Sequence, residues 1–405
     1  MGVTREQLND SSNTSSINDK PVTNHLSARE FTPRSSVEQW INQQLAKAGI
    51  AVNGPNPWDP QVHNTALWNR VLRQGSLGLG DAYVDGWWDC EQLDEFISRA
   101  ISAQLDEKIT GRWMMFRHWL AATFMNRQSE KRAYQVGEQH YDAGNDLYQA
   151  MLDPTMSYSC GYWHQAEDLH QAQLNKLRLI CEKAQLQQGE SVLEIGCGWG
   201  SFAELAATEY GVNVTGITIS KEQKKLADER CKGLPVDIAL QDYRTLKGQY
   251  DKLVSIGMFE HVGPKNYRTY MRAAHGLMKD EGIFVLHTIG KARASLGTDP
   301  WIDKYIFPNG VIPTLTQISD AVEPYFVIED VHNFGPDYDT TLMAWHDNFV
   351  AAWPELKAQY SERFYRMWVY YLRVCAGAFR SRSLQLYQVV LRKQSGRLPR
   401  YQSLR

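Results

Sequence analysis

Three glycines at alternate positions, Gly196, Gly198 and Gly200, follow an apolar run that ends on an acid, so that residues 192–200 read VLEIGCGWG. Glycine accepts positive φ and lets a backbone approach a ligand closely. A helix expected over 201–210, stopped by Gly211, would turn its N-terminal amides toward the same place. The dinucleotide fingerprint is spaced differently, GxGxxG, with an acid about twenty residues further on for the ribose. Here the acid comes first, and the next expected strand, 213–218, ends without one. That order suits S-adenosylmethionine, because Glu194 is then placed near the ammonium of the methionine moiety. The plain alternative is an ordinary glycine turn between a strand and a helix.

Other polar residues fall where strands end. The segment GMFEHVG sets Glu260 and His261 just past an expected strand at 251–256, and His287 closes another at 282–288. Upstream, MSYSCGYW supplies Tyr158, Ser159, Cys160 and Tyr162, while HNFGPDYDTT puts Tyr338 in a polar loop before an expected edge strand at 341–345. Singly, such residues are ordinary core or rim groups, and a lone cysteine is usually a small buried hydrophobe. Glu260 and His287 gain weight together, since they come from adjacent strands of one crevice and could share acid–base work.

The elements that must position these groups alternate. Strands are expected near 191–195, 213–218, 235–240, 251–256 and 282–288, with helices at about 201–210, 220–231 and 265–278. Strand–helix alternation predicts an α/β fold with a parallel, doubly wound, Rossmann-like sheet, and ligands of such sheets lie beyond the carboxyl ends of the strands. Later apolar runs at 326–331 and 341–345, then helices near 355–375, add strands at one edge. Ahead of this, residues 1–35 are polar and read as disordered. Residues 36–104 carry helical spacing in a smaller, mainly helical domain, 105–135 form a linker, and 136–405 form the catalytic domain.

A chain of 405 residues, 43% of them hydrophobic, can bury a large core. No stretch approaches the roughly 20 apolar residues of a membrane span, and no signal-peptide core opens the chain. The expectation is a soluble protein. Its six cysteines lack zinc spacing, which points to reduced thiols in a cytoplasm and to no metal. Net charge is only −3, but two stretches hold no acid. Residues 108–129 carry Lys108, Arg112, Arg117 and Arg127 among many aromatic and methionine side chains, and residues 380–405 carry Arg392, Lys393 and five further arginines. Basic aromatic helices can lie in a membrane interface and basic clusters are drawn to anionic lipid. Equally, the first could be a packed linker helix and the second a solvated tail. No nucleic-acid motif is present, so nucleic acid is not expected as a partner.

Read in order, GSLGLGDAYVDGWWDC, HYDAGNDLY, LDPTMSYSCGYW, VLEIGCGWG, GITIS, LQDYR, GMFEHVGPKNY, HTIG, WIDKYIFPNG, DYDTTLMAW and CAGAFR give a chain that resembles the cyclopropane fatty acid synthases from about residue 37 to 400. The resemblance implies transfer of a methylene from S-adenosylmethionine to cis double bonds of membrane phospholipid acyl chains. It implies cofactor contacts at Tyr158, Ser159, Gly196, Thr218, Gln223, Gln241 and Asp242, joined by Gly198 and Gly200 of the loop. It also implies a bicarbonate ion held by Cys160, Glu260, His287 and Tyr338 with the backbone of Ile289. Cys375 matches a cysteine suspected of catalysis, although the mechanism needs no sulfur chemistry and a structural place near the acyl channel suits it as well. Homodimeric assembly and a cytoplasmic location, peripheral to the inner membrane, complete the expectation, with the N-terminal domain associated with lipid.

An alkene is a poor nucleophile, so its π bond must be held in line with the sulfonium methyl, a proximity effect of up to about 7–11 kcal/mol. Methyl transfer leaves a carbocation-like centre, and ring closure needs a base that is not itself alkylated. Bicarbonate meets that demand better than a thiolate or an amine, and Tyr162 could offer the cation a π face. Two alternatives stay open: a methyltransferase that stops at methyl addition on a lipid or an amine, and a lipid-binding module without catalysis.

Overall fold

The computed structural model describes residues 36–105, 145–294, 297–394 and 400–405. Strands among them are β1 (Gln61–Val62), β2 (Trp88–Asp89), β3 (Ser191–Ile195), β4 (Asn213–Thr218), β5 (Val236–Leu240), β6 (Tyr250–Ile256), β7 (Met278–Lys291), β8 (Phe326–Asn333) and β9 (Leu384–Lys393). Helices before the main sheet are α1 (Ser36–Lys47), α2 (Leu67–Gln74), α3 (Ser76–Val84), α4 (Leu93–Ser102), α5 (Asn145–Met151) and α6 (Leu169–Lys183). Within and after it come α7 (Ser201–Tyr210), α8 (Lys221–Arg230), α9 (Tyr267–Leu277), α10 (Pro300–Tyr305), α11 (Leu315–Val322), α12 (Pro336–Leu356) and α13 (Glu362–Arg380).

Seven strands form one sheet in the order β5-β4-β3-β6-β7-β9-β8. The first five are parallel, as the alternating pattern predicts. The other two are not: β9 runs antiparallel to both β7 and β8, which makes the sheet mixed. The central strands β3, β6 and β7 are buried along most of their length, as strands covered by helices on both faces must be.

Two expectations fail at the C-terminal end. The run at 341–345 is no strand; it lies inside α12, so Tyr338 stands in the first turn of a helix that Pro336 opens. Proline is suited to that turn because its missing N–H would have no partner there. Within the acid-free stretch after Arg380, residues 384–393 are neither a solvated tail nor a lipid-facing basic cluster, because they form β9, inside the sheet. Arg392 and Lys393 are buried, and Lys393 Nζ pairs with Asp280 at 3.2 Å. They cannot form a docking face for anionic lipid. The other basic stretch, 108–129, lies outside the described residues.

The N-terminal helices share a hydrophobic core with α12 and α13. Gly377 of α13 allows the close approach, since a Cβ there would run into the Asp94 carbonyl and Ile97 of α4. Around that contact Arg373 pairs with Asp94 at 2.8 Å, and Arg380 bridges Asp94 at 2.6 Å to Asp339 of α12 at 2.9 Å. The ion pairs tie the N-terminal helices to the turn that carries Tyr338.

Candidate active site

The glycine loop takes the form its sequence dictates. Gly196, Gly198 and Gly200 have φ of 85°, 53° and 83°, values that side-chain-bearing residues rarely adopt. α7 begins at Ser201 and ends against Gly211, itself left-handed. Above the carboxyl ends of β3, β4 and β6 a cavity of about 230 Å³ opens. Tyr158, Ser159, Gly196, Gly198, Thr218, Gln223, Gln241 and Asp242, all anticipated, line it. Gly200 does not: it starts the helix and faces Ala227 and Cys231 of the neighbouring helix.

Several lining groups are already fixed by one another. Thr218 Oγ1 donates to Gln223 Oε1 at 2.8 Å, and Ser220 caps α8 through the Gln223 amide. Asp242 is held by Arg244, whose Nε donates at 2.8 Å, and this keeps its carboxyl below the usual range against the opposing effect of burial. Glu194 is different. It is buried, its Oε2 has no hydrogen-bond partner among the described residues, and burial raises its carboxyl well above the ordinary value. A ligand presenting an ammonium at that end of the cavity would satisfy it.

Behind the cavity wall lies a second polar cluster. Strand pairing sets His287 opposite Ile256, a lining residue, and the His287 carbonyl accepts from the Gly257 amide at 2.9 Å. Glu260 sits in the single 3-10 turn after β6, beside lining residue His261. Its Oε1 accepts from the Ile289 amide at 2.6 Å, so Ile289 positions the acid, and that N–H is not free for an ion. Burial pushes the Glu260 carboxyl up to about 7, with the Ile289 amide opposing the shift. His287 is driven well below its ordinary value by burial and by the charges of Lys176 and Lys183, and is therefore neutral. Gln388 Nε2 lies 3.2 Å from His287 Nδ1. With that amide donating, the ring proton rests on Nε2.

Glu260 Oε2 and His287 Nε2 are both buried without a close hydrogen-bond partner among the described residues, although the Thr288 hydroxyl is near enough to oppose the rise of the Glu260 carboxyl. The neutral imidazole can donate one hydrogen bond, and so can Glu260 in its protonated form, which burial keeps populated up to about pH 7; a small oxyanion is the complementary acceptor. Cys160 is fully buried, its thiol raised well above the usual range by burial, and the next residue's amide bonds Thr341 of α12 at 3.1 Å. Tyr338, one turn before Thr341, packs on Phe379 and Trp345. Cys375 on α13 has its thiol pushed up to about 12 by burial, so it is held protonated at neutral pH. Tyr162 stands edge-on to Phe334, which in turn meets His287.

Sequence reasoning missed Lys176. It lines the cavity from α6, is almost wholly buried, and donates to Ser159 Oγ at 2.9 Å. The signal was available in the spacing: Ala172, Gln173, Lys176, Leu177 and Ile180 share the inner face of α6, and a lysine in that register needs a reason. Pro308 and Asn309, from the loop after α10, also line the cavity; they fall in WIDKYIFPNG, one of the segments that carry the resemblance, which gave neither of them a role.

Sheet order, glycine loop and cavity together define the fold of S-adenosylmethionine-dependent methyltransferases. The chain belongs to the mycolic acid cyclopropane synthetase family, whose model matches residues 128–389. It is 56% identical to the cyclopropane-fatty-acyl-phospholipid synthase of Escherichia coli over 349 residues, 86% of this chain and 91% of that one. The cyclopropane synthase MmaA2 of Mycobacterium tuberculosis superposes with a TM-score of 0.61 at 30% identity, covering 64% of this chain and 98% of that one. A coclaurine N-methyltransferase bound to N-methylheliamine and SAH covers 78% of this chain and 99% of its own, with a TM-score of 0.65. At 22% identity it shows the shared fold alone.

Proposed function

We propose that the chain acts as a cyclopropane-fatty-acyl-phospholipid synthase, adding a methylene to cis double bonds of phospholipid acyl chains. S-adenosylmethionine bound in the cavity would supply the electrophilic methyl, and bicarbonate bound beside it the base that takes the proton released at ring closure. The observation that carries the reading is the pair of buried groups, Glu260 Oε2 and His287 Nε2, each next to a residue that lines the glycine-flanked cavity, His261 and Ile256 respectively.

Each residue's part follows from its surroundings. Tyr158, Ser159, Gly196, Gly198, Thr218, Gln223, Gln241 and Asp242 shape the cofactor cavity, while Glu194 meets the amino-acid end. Glu260, oriented by the Ile289 amide, and His287, oriented by Gln388, present donors to a small oxyanion. Cys160 and Tyr338 wall the same region, and Gly200 sets the helix start. The buried, water-poor cluster protects a cationic centre on the lipid from hydrolysis, with Tyr162 at its margin. Cys375 takes no chemical part. We also propose that the protein works as a homodimer, peripherally bound to the inner membrane from the cytoplasm, with the N-terminal helices as its lipid-associated region.

Among the described residues no helix is long and apolar enough to cross a membrane. In this reading the acyl chains are reached by docking on the bilayer surface. Mass spectrometry of lipids from cells expressing the protein tests the reading. Modified chains gain one CH2 and lose the olefin. Chains that gain a methyl and keep the olefin would show that the enzyme stops at methyl addition, and turnover of soluble amines with none on vesicles would overturn the lipid assignment. Removing bicarbonate from the assay is expected to slow ring formation; unchanged turnover would remove the ion from the mechanism.

A further inference from the structure

The cluster proposed to hold bicarbonate contains no cation. Its donors are a neutral imidazole and a carboxylic acid, and an anion held by neutral donors alone in a buried site is poorly compensated. Lys176 lines the cofactor cavity, and its charge also reaches His287. Its helix face clamps the 157–160 segment: Gln173 Nε2 donates to the Ser159 carbonyl at 2.8 Å, and one turn later Lys176 Nζ donates to Ser159 Oγ at 2.9 Å. Ser159 lines the cofactor cavity, whereas the Cys160 thiol beside it interacts with the Thr341 hydroxyl of α12.

We propose that Lys176 is a positioning residue shared by both sites: it fixes Ser159 toward the cofactor cavity and supplies the positive charge that the bicarbonate cluster lacks. The inference rests on the bicarbonate reading above. The groups that face the ammonium are Asp153, ahead of the clamped segment, Ser159 and Cys160 within it, Glu194 from β3 and His287 from β7. Asp153 is occupied by Thr155 and His170. Burial lowers the ammonium to about 8, with Asp153, Cys160 and Glu194 opposing that shift, so the charge is present at neutral pH and fades above it.

Lys183 is the rival, since its charge also reaches His287. It is committed elsewhere, with Nζ 3.0 Å from His332 Nδ1 and 3.9 Å from Asp330.

Binding of 13C-bicarbonate to the full chain, followed by NMR in the presence of S-adenosylhomocysteine, reads the effect without turnover. Lys176→Met is expected to weaken bicarbonate binding by about tenfold or more, as loss of a nearby charge in a low-dielectric site demands. The cofactor product should lose far less affinity, by calorimetry. In assays the half-saturating bicarbonate concentration rises while kcat at saturation falls much less, and in the wild type that concentration rises above pH 8. Lys183→Met should leave bicarbonate binding as it was.

Because Lys176→Met removes the charge that lowers the buried Glu194 carboxyl, the double variant Lys176→Met/Glu194→Gln takes both titratable groups out together and serves if the single variant fails to fold. Wild-type bicarbonate affinity in either variant, with wild-type protein still binding the ion, overturns the role of Lys176 alone. If the wild type binds no bicarbonate, both readings fall together.

Discussion

Replacing Glu260 by glutamine should make the protein more stable at alkaline pH while spoiling its chemistry. The carboxyl is buried and raised from 4.5 to about 7, so the fold prefers its protonated form. Stability from that preference is complete below pH 4.5 and is lost as the pH rises through about 7. A shift of that size corresponds to about 3 kcal/mol at pH 8, at 1.36 kcal/mol per unit. Glutamine cannot ionise, and its carbonyl can still accept the Ile289 amide that Oε1 now accepts at 2.6 Å. Thermal melts from pH 4.5 to 8.5 should therefore show two curves that coincide near pH 4.5 and separate by a few degrees at pH 8, the variant melting higher. Curves that stay parallel would refute the claim that Glu260 is held as an acid. Glu260→Ala differs, because the Ile289 N–H is left buried without its acceptor at a cost of about 1–3 kcal/mol. Ring formation by that variant should nearly cease even at saturating bicarbonate, and Tyr338→Phe, which loses one hydroxyl and keeps the ring, should be milder.

Gly198→Val should abolish S-adenosylmethionine binding by calorimetry with near-native circular dichroism, since a side chain there meets no protein atom and points into open space at φ 53°. Gly200→Val should instead lower the melting temperature, because its Cβ would press on Ala227 at 3.1 Å and Cys231 at 3.3 Å; equal effects of the two would misplace the cavity. Cys375→Ser should keep most turnover, given a thiol pushed up to about 12, and a large loss with normal folding would make the sulfur a participant. Arg112→Gln with Arg117→Gln should weaken flotation with anionic vesicles most at low salt, at about 1 kcal/mol per charge. Lys393→Gln should leave flotation unchanged, as its side chain is buried against Asp280; the opposite pattern would put the docking face on the sheet.

The nucleotide-side half of the site was legible because local rules govern it. Strands β3 and β4, helix α7 and the positive-φ glycines fall where alternation, glycine placement and Gly211 require. Glu260 was found for the same reason, as a polar residue just past the end of β6; His287, expected to close its strand, lies inside β7, which runs on to Lys291, and meets the site because β6 ends opposite it at Ile256. Tyr338 was misplaced because TLMAW is short and apolar, and such a run reads equally as buried strand or buried helix. Only its packing against α13 and α5 decides the matter. β9 was hidden by its charges: Arg392 and Lys393 suggest solvent, yet tertiary partners such as Asp280 bury them. Lys176 went unnoticed since its partners, Ser159 and Glu194, come from separate segments that only the folded chain brings together.

The position of β9 bears on how the chain folds as it is made. A growing chain delivers β8 some fifty residues before β9, yet β8 joins the sheet only through β9. Until residues 384–393 have emerged, β7 presents an open edge and β8 has nothing to pair with, a combination that invites association with other chains. Completion of the sheet is thus a late, long-range event, and the strand that brings Gln388 to His287 is the one that performs it. Any nascent or truncated chain lacking β9 would carry the glycine loop but no oriented histidine, so catalytic competence and closure of the sheet should arrive in the same step.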